Sequence, residues 1–285
     1  MSFPPVNDLA TILPRLSMLR RARAHSIASA NVQKFLDFGG PWGLLDPTAS
    51  GWFPSQNGNR VIDLGCNGDH GVKLLSEPFK DAGLPRFFVY LDPYPVLQRV
   101  QLALHEAGYR CCNEVIVLAR NLTGDQIQGH STPQISIKVA TTNDIDDLLR
   151  VLTYDGTQDP MWEDKVTGVL SRSGIEVHLA TYDERPIAVG VLNYENGLAY
   201  LSNATTVPAF RGNGAQKALI HSRLQRAQIL GCDLAYVETY RFLAASYNNL
   251  LKCGFCDLYS RQIFRYEFDS AIRATLSHTV GGITN

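Results

Sequence analysis

Long apolar runs are missing from this chain. None reaches the roughly 20 residues that a membrane-spanning helix needs, and the opening Met1-Ser2-Phe3-Pro4-Pro5 lacks the charged-then-apolar layout of a secretory leader, so a cytoplasmic protein without a membrane partner is expected. An excess of charge of either sign is missing too. Lys and Arg number 26 against 27 Asp and Glu, a net charge of −1, whereas non-specific nucleic-acid binding needs a basic surplus. The cluster Arg20-Arg21-Ala22-Arg23, inside a helical-looking stretch over 9–36, is expected to be a solvated face. Cysteines are few: Cys66, Cys111, Cys112, Cys232, Cys253 and Cys256, which a reducing compartment keeps as thiols. Cys253-Gly254-Phe255-Cys256 has metal-like spacing, but a tetrahedral zinc site needs two more ligands and no second C-x-x-C or H-x3-H pair supplies them. No metal is expected.

What is present is a core and a repeat. With 285 residues, 45% hydrophobic and 19% charged, the composition is that of a globular protein of one large or two ordinary domains. Shifting the chain by 146 residues aligns 61–108 with 207–254 without gaps, and ten of the 48 positions are identical, among them Asn67-Gly68 with Asn213-Gly214, Tyr90 with Tyr236 and Gly108 with Gly254. So long a period points to two copies of one domain. The division is expected as 1–130 and 131–285, with the link in the polar stretch 123–133. Each copy reads as α/β with a mixed sheet. Phe87–Leu91 and Leu234–Val237 are short apolar strands, while 96–107 and 243–253 are helices stopped by Gly108 and Gly254.

The second half carries the more telling pattern. A strand at 135–139, a helix capped from Thr141, a hairpin of 177–182 with 187–194, and a strand at 199–207 lead into Pro208-Ala209-Phe210-Arg211-Gly212-Asn213-Gly214-Ala215-Gln216-Lys217. There a helix opens, with Ala215, Ala218, Leu219, Ala227 and Leu230 on one face. A strand feeding a glycine loop at a helix N-terminus suits a phosphate, because the first-turn N–H groups point outward and the helix dipole favours negative charge.

In this order the motif resembles the GNAT acetyltransferase superfamily, over about 135–268. The Arg211-Gly212-Asn213-Gly214 loop and the Gly254-Phe255 turn stand in register. Gln216 replaces the small residue usual two places after the second motif glycine, but its backbone amide is still available to phosphate. The resemblance implies acetyl-CoA as cosubstrate. Main-chain groups of Thr205 and Val207 would hold the pantetheine arm, amides of Gly212, Asn213, Gly214, Ala215, Gln216 and Lys217 the pyrophosphate, Arg211 would add charge, and Ser246 and Asn249 would be polar CoA contacts. Amide N–H near Val207 would face the developing oxyanion. Glu238 is the candidate base, where two parallel strands of such a fold splay apart, and Asn203 is the alternative for orienting a water. The tyrosine many GNAT enzymes carry four residues before the Gly-Phe turn is Leu250 here, which leaves Tyr247 as the nearest acid.

The first half also invites a methyltransferase reading through Val61-Ile62-Asp63-Leu64-Gly65-Cys66-Asn67-Gly68, with Asp92 as the ribose-binding acid. Asn67 and Asp69 replace that pattern's later glycines, and a carboxylate at Asp69 would repel pyrophosphate. A degenerate GNAT-like half is therefore expected, with one cofactor site per chain in the second half. The acceptor lip is placed at 155–170, where Asp159, Trp162, Glu163 and Asp164 favour a small amine. Two readings stay open: an acyl-CoA-dependent N-acyltransferase, and a non-catalytic acyl-CoA sensor or scaffold suggested by the missing tyrosine. Oligomeric state is open as well, with a homodimer as one option.

Overall fold

The computed structural model describes residues 9–28, 34–47, 59–64, 72, 74–124, 126–127, 133–156 and 162–268. Along the chain run α1 (Leu9–Ala28), β1 (Lys34–Asp37), β2 (Trp42–Leu45), β3 (Arg60–Ile62), α2 (Glu77–Asp81), β4 (Arg86–Leu91), α3 (Leu97–Glu106) and β5 (Arg110–Asn121). There follow β6 (Ile135–Val139), α4 (Ile145–Leu152), α5 (Trp162–Leu170), β7 (Ile175–Tyr182), β8 (Arg185–Glu195), β9 (Leu198–Thr206), α6 (Ala215–Ile229), β10 (Leu234–Thr239), α7 (Ala244–Lys252) and β11 (Cys256–Glu267). The helix expected to reach residue 36 stops at Ala28, because Leu36 belongs to a hairpin strand opposite Gly43. Among the described residues no helix is long and apolar enough to cross a membrane.

The 146-residue period is visible in the elements. Shifted by it, β5 falls on β11 end to end and α3 falls within a residue of α7. The copies do not fold as consecutive blocks, however. One compact unit joins the described residues up to Arg20 with Ile116–Tyr259, and the other joins Arg21–Val115 with those from Ser260 on. The last strand of each copy is exchanged. Ile116–Asn121 of β5 pairs antiparallel with β10, and Gln262–Glu267 of β11 pairs antiparallel with β4. The units therefore do not follow the linear division at 130/131.

In the unit holding Ile116–Tyr259 the strand order is β5-β10-β9-β8-β7-β6, with only β9 and β10 parallel. The two-residue turn Asp183-Glu184, both at positive φ (46° and 65°), closes the expected hairpin and matches strand twist. Alternation along β7 sends Val177 and Leu179 into a cluster with Leu148 and Val151 of α4 and Val166 of α5. Ala180 joins Ala215 and Leu219 of α6. Helix α6 packs Ile220, Leu224 and Ala227 onto Leu192, Ala199, Leu201 and Ala235, so small residues let it lie close to the sheet.

The other unit has the order β1-β2-β3-β4-β11, with β3 and β4 parallel. Its core stacks Phe79 on Phe87 at 4.3 Å, with Tyr109 edge-on to Phe87. Asp92, expected under the methyltransferase reading to meet a ribose, is 0% exposed and ion-paired at 2.9 Å with Arg261, itself 1% exposed. Asp63 is also buried and accepts the Trp42 indole N–H at 2.6 Å. Both carboxylates are structural. Replacing Asp92 with Asn breaks this buried ion pair, and a loss of roughly 3–5 kcal/mol in unfolding free energy is expected. Urea denaturation of the two proteins checks it.

Candidate functional site

Strand β9 keeps both neighbours over only half its length. Leu198–Leu201 pair with Leu234–Val237 of β10. Beyond that point β10 stays on β5 as far as Thr239 opposite Ile116, while β9 stays on β8 as far as Thr206 opposite Ala188. A gap opens between them. Its cause is a bulge, because the pairs Val189–Thr205 and Val191–Ser202 leave Asn203 and Ala204 opposite the single Gly190. Asn203 sits at φ 46°, a left-handed conformation that Asn tolerates better than most residues. Asn203 itself is exposed at this edge.

Which backbone groups face the gap follows from strand alternation. The Val207 N–H donates to Ile187 O of β8 at 2.9 Å, so Thr205, two residues earlier, also turns its peptide groups to β8. Ala204 and Thr206 then face the gap, and the Thr206 carbonyl accepts from Arg211 Nε at 3.4 Å. The main-chain groups of Thr205 and Val207, expected to hold a pantetheine arm, are turned to β8 instead. Val207 N–H is spent in the sheet and is not an oxyanion donor.

The chain leaves β9 through a tight turn, with Phe210 N–H on Val207 O at 2.9 Å and Arg211 N–H on Pro208 O at 3.1 Å. Gly212 and Gly214 follow at φ 87° and 88°, which side chains with a Cβ resist. Gly214 caps α6 and brings no side chain to its first turn, so the amides of Ala215, Gln216 and Lys217 lack intrahelical acceptors. Arg211, Gly212 and Asn213 are exposed beside them. The Gln216 side chain is bonded to α7. It donates to Ser246 Oγ at 3.1 Å and accepts from Asn249 Nδ2 at 2.8 Å. Ser246 and Asn249, expected as direct cofactor contacts, hold the Gln216 side chain in the first turn of α6.

Glu238 stands on β10 one residue past its last pairing with β9. Its carboxylate lies 3.1 Å from Arg20 Nη2, with side chains 18% and 6% exposed respectively. Arg20 also donates to the Tyr259 hydroxyl at 2.9 Å and lies 5.7 Å above the Tyr236 ring. The expected solvated face is therefore wrong for Arg20, which anchors α1 and orients Glu238. Arg21 instead pairs with Asp37. Tyr247 is drawn elsewhere: its hydroxyl donates to Asp257 at 2.9 Å, with Arg241 Nη1 at 3.3 Å. Leu250, where a tyrosine was looked for, is core at 3% exposure.

Of the acceptor lip, Glu163 and Asp164 are exposed in the first turn of α5, while Asp159 and the Trp162 side chain lie outside the described residues. The loop 65–70 of the first copy does too. Cys253 is buried and Cys256 exposed, both free thiols, and burial raises the Cys253 pKa above the usual thiol range. Among the described residues no group of three or more His, Cys, Asp or Glu is placed to hold a metal.

No family model matches the sequence, and no curated protein matches it. Solved structures do match the fold. A GCN5-related N-acetyltransferase from Kribbella flavida superposes with a TM-score of 0.58 at 14% identity, over 87% of this chain and 96% of that one. Another, from Sphaerobacter thermophilus, gives 0.57 at 12% identity over 81% and 82%. The GCN5-related glucosamine N-acetyltransferase region of a fungal multi-domain GH3 β-N-acetylglucosaminidase gives 0.60 at 12% identity, over 86% of this chain and 34% of that one. The chain has the GCN5-related N-acetyltransferase fold, mixed α/β.

Helix α6, which presents the loop, is pinned to β7. Arg226 grips Glu176 with two nitrogens at 2.7–3.0 Å, and Ser222 Oγ meets His178 Nδ1 at 2.9 Å. Burial, reinforced by Arg223, lowers the His178 pKa from 6.5 to about 4. As pH falls the unfolded chain takes up this proton first, so the neutral histidine's contribution is complete above pH 6.5 and is lost toward pH 4. About 3 kcal/mol of stability is expected to disappear over that window. A His178→Gln variant, denatured in urea at both pH values, is expected to lack this increment.

Proposed function

We propose that this chain is an acyl-CoA-dependent N-acyltransferase that transfers acetyl from acetyl-CoA to the primary amine of a small molecule. The observation that carries the reading is the continuity of the gap between β9 and β10 with the uncapped start of α6. A thioester arm lying along Ala204 and Thr206 leads to a pyrophosphate at the amides of Ala215, Gln216 and Lys217, with Arg211 beside it. Acetyl-CoA supplies the activated acyl group. The chain's residues do the rest: Glu238 takes the amine proton directly or through a water, and a backbone N–H facing the gap, of Ala204 or Thr206, meets the oxyanion. The leaving thiolate is stable enough to depart without an acid. That fits Tyr247 being engaged by Asp257. Such chemistry calls for no metal and no nucleic-acid partner, and it is read as cytoplasmic.

The first copy supports one site per chain. Val61, the repeat counterpart of Val207, pairs with Val89 of β4, whereas Val207 bonds to Ile187 of β8 and lies beyond the pairs of β9 with β10. A second reading, an acyl-CoA sensor or scaffold, is favoured by the Arg20–Glu238 ion pair, which occupies the candidate base.

Calorimetric titration of acetyl-CoA is expected to show one site per chain, lost in Gly214→Asp, where a carboxylate and a strained backbone meet the phosphates. Two sites, or binding that survives Gly214→Asp, would overturn the placement. A Glu238→Gln variant is expected to bind acetyl-CoA within a factor of about two of wild type and to lose roughly 10²–10⁴ in kcat. Binding with no turnover of any amine in the wild type would establish the sensor instead.

A further inference from the structure

Helix α6 buries one side chain that its apolar face does not call for. Arg223 is 2% exposed, and among the described residues no carboxylate pairs with it. Its partners are main-chain oxygens: Nε donates to Leu219 O at 3.0 Å, and Nη1 to Val191 O at 3.2 Å and Ser202 O at 3.3 Å. Val191 and Ser202 are the paired residues that bound the β8–β9 bulge on one side. The guanidinium lies over Gly190, where a Cβ would come within 2.8 Å of Arg223 Cζ. Asn193, also buried, donates to Ser202 Oγ at 2.9 Å, so the residue ahead of the bulge is held by its carbonyl and by its side chain.

A bulge interrupts the ladder and leaves buried carbonyls in need of donors. A guanidinium suits that need, since its planar fork reaches two strands at once and stays charged. Burial lowers the Arg223 pKa only to about 10, so the charge persists at neutral pH. Arg223 also lies about two turns from the start of α6, so one rigid helix carries the anion cradle and the group that fixes the bulge.

The geometry points to Arg223 as a positioning residue of the acyl-transfer site: by bridging Val191 and Ser202 over Gly190 it locks the bulge that parts β9 from β10 and aims the backbone groups of the gap. This rests on the acyltransferase reading for its catalytic consequence. Its structural content is independent of it.

The test compares Arg223→Met with Gly190→Ala, which dislodges the guanidinium without removing it, and with the core variant Leu224→Ala, which loses stability away from the bulge. Both bulge variants are expected to lower kcat at least tenfold with KM for acetyl-CoA within threefold. Amide exchange over 198–207 should accelerate at least tenfold while that of 215–229 stays as in wild type. Leu224→Ala, assayed well below its melting temperature, is expected to keep kcat. Unchanged exchange over 198–207 in both bulge variants, or an unchanged kcat, would overturn the proposal. An equal fall of kcat in Leu224→Ala would as well. If the wild type transfers no acyl group, the acyltransferase reading fails by that result, and the exchange comparison still decides whether Arg223 holds the bulge. If Arg223→Met does not fold, Gly190→Ala carries the same comparison.

Discussion

Asn203 and Ala204 lie on β9 opposite the single Gly190 of β8, and that surplus of one residue bends β9 away from a parallel partner that continues straight along β5. A bulge disrupts its ladder locally and bends the strand that carries it. Here β9 stays with β8, and the peptide groups of Ala204 and Thr206 are turned into the gap beside β10. The chain then has to end the strand at Val207-Pro208, turn, and start α6 within a few residues. The glycines at 212 and 214 make that turn feasible at positive φ, and they leave the helix start bare of side-chain caps. Gap and cradle are thus consequences of one distortion, joined by a short loop.

The repeat offers an internal control on that argument. Both copies have a parallel strand pair, a helix after its second strand and a long final strand. In the first copy the described pairs of β3 with β2 run without a bulge, and Val61 pairs with Val89 of β4. The chain turns immediately afterwards through Asp63 at φ 63°, whose carboxylate is fixed by Trp42. Carboxylates at matching positions then meet opposite fates. Asp92 is sealed against Arg261 with no exposure, while Glu238, paired with Arg20, keeps 18%. Each arginine also lies over the tyrosine two residues before its carboxylate, Arg261 over Tyr90 at 5.0 Å and Arg20 over Tyr236 at 5.7 Å. The same local motif serves as core in one unit and stands at the rim of a gap in the other.

Much of this was legible in the sequence, for reasons of range. The hairpin, the glycine loop, the helix stops at Gly108 and Gly254 and the repeat are set by residues near one another, so periodicity and turn chemistry report them. The strand exchange was not legible, since local propensity does not distinguish pairing of β5 with β10 from pairing within its own copy. Arg20 was misread for the same reason: its carboxylate partner lies 218 positions on and cannot be inferred from its helical neighbours. The error at Thr205 and Val207 was one of parity. A bulge shifts alternation by a residue, and every backbone group beyond it changes side.

Net charge was the least informative quantity, because it averages over charges with different duties. In the unit that holds the gap several carboxylates are claimed by cations, Glu176 by Arg226, Asp144 by Lys138, Asp233 by Arg15, Glu238 by Arg20 and Asp257 by Arg241. Among the described residues no carboxylate is paired with Arg211 or Lys217 at the start of α6, and the buried Arg223 has only carbonyl partners. The helix dipole adds about half a positive charge at the same end. A positive helix end flanked by Arg211 and Lys217 therefore stands at the glycine loop in a chain whose total is −1, and on the proposed function the phosphates of acetyl-CoA are the charge that meets it.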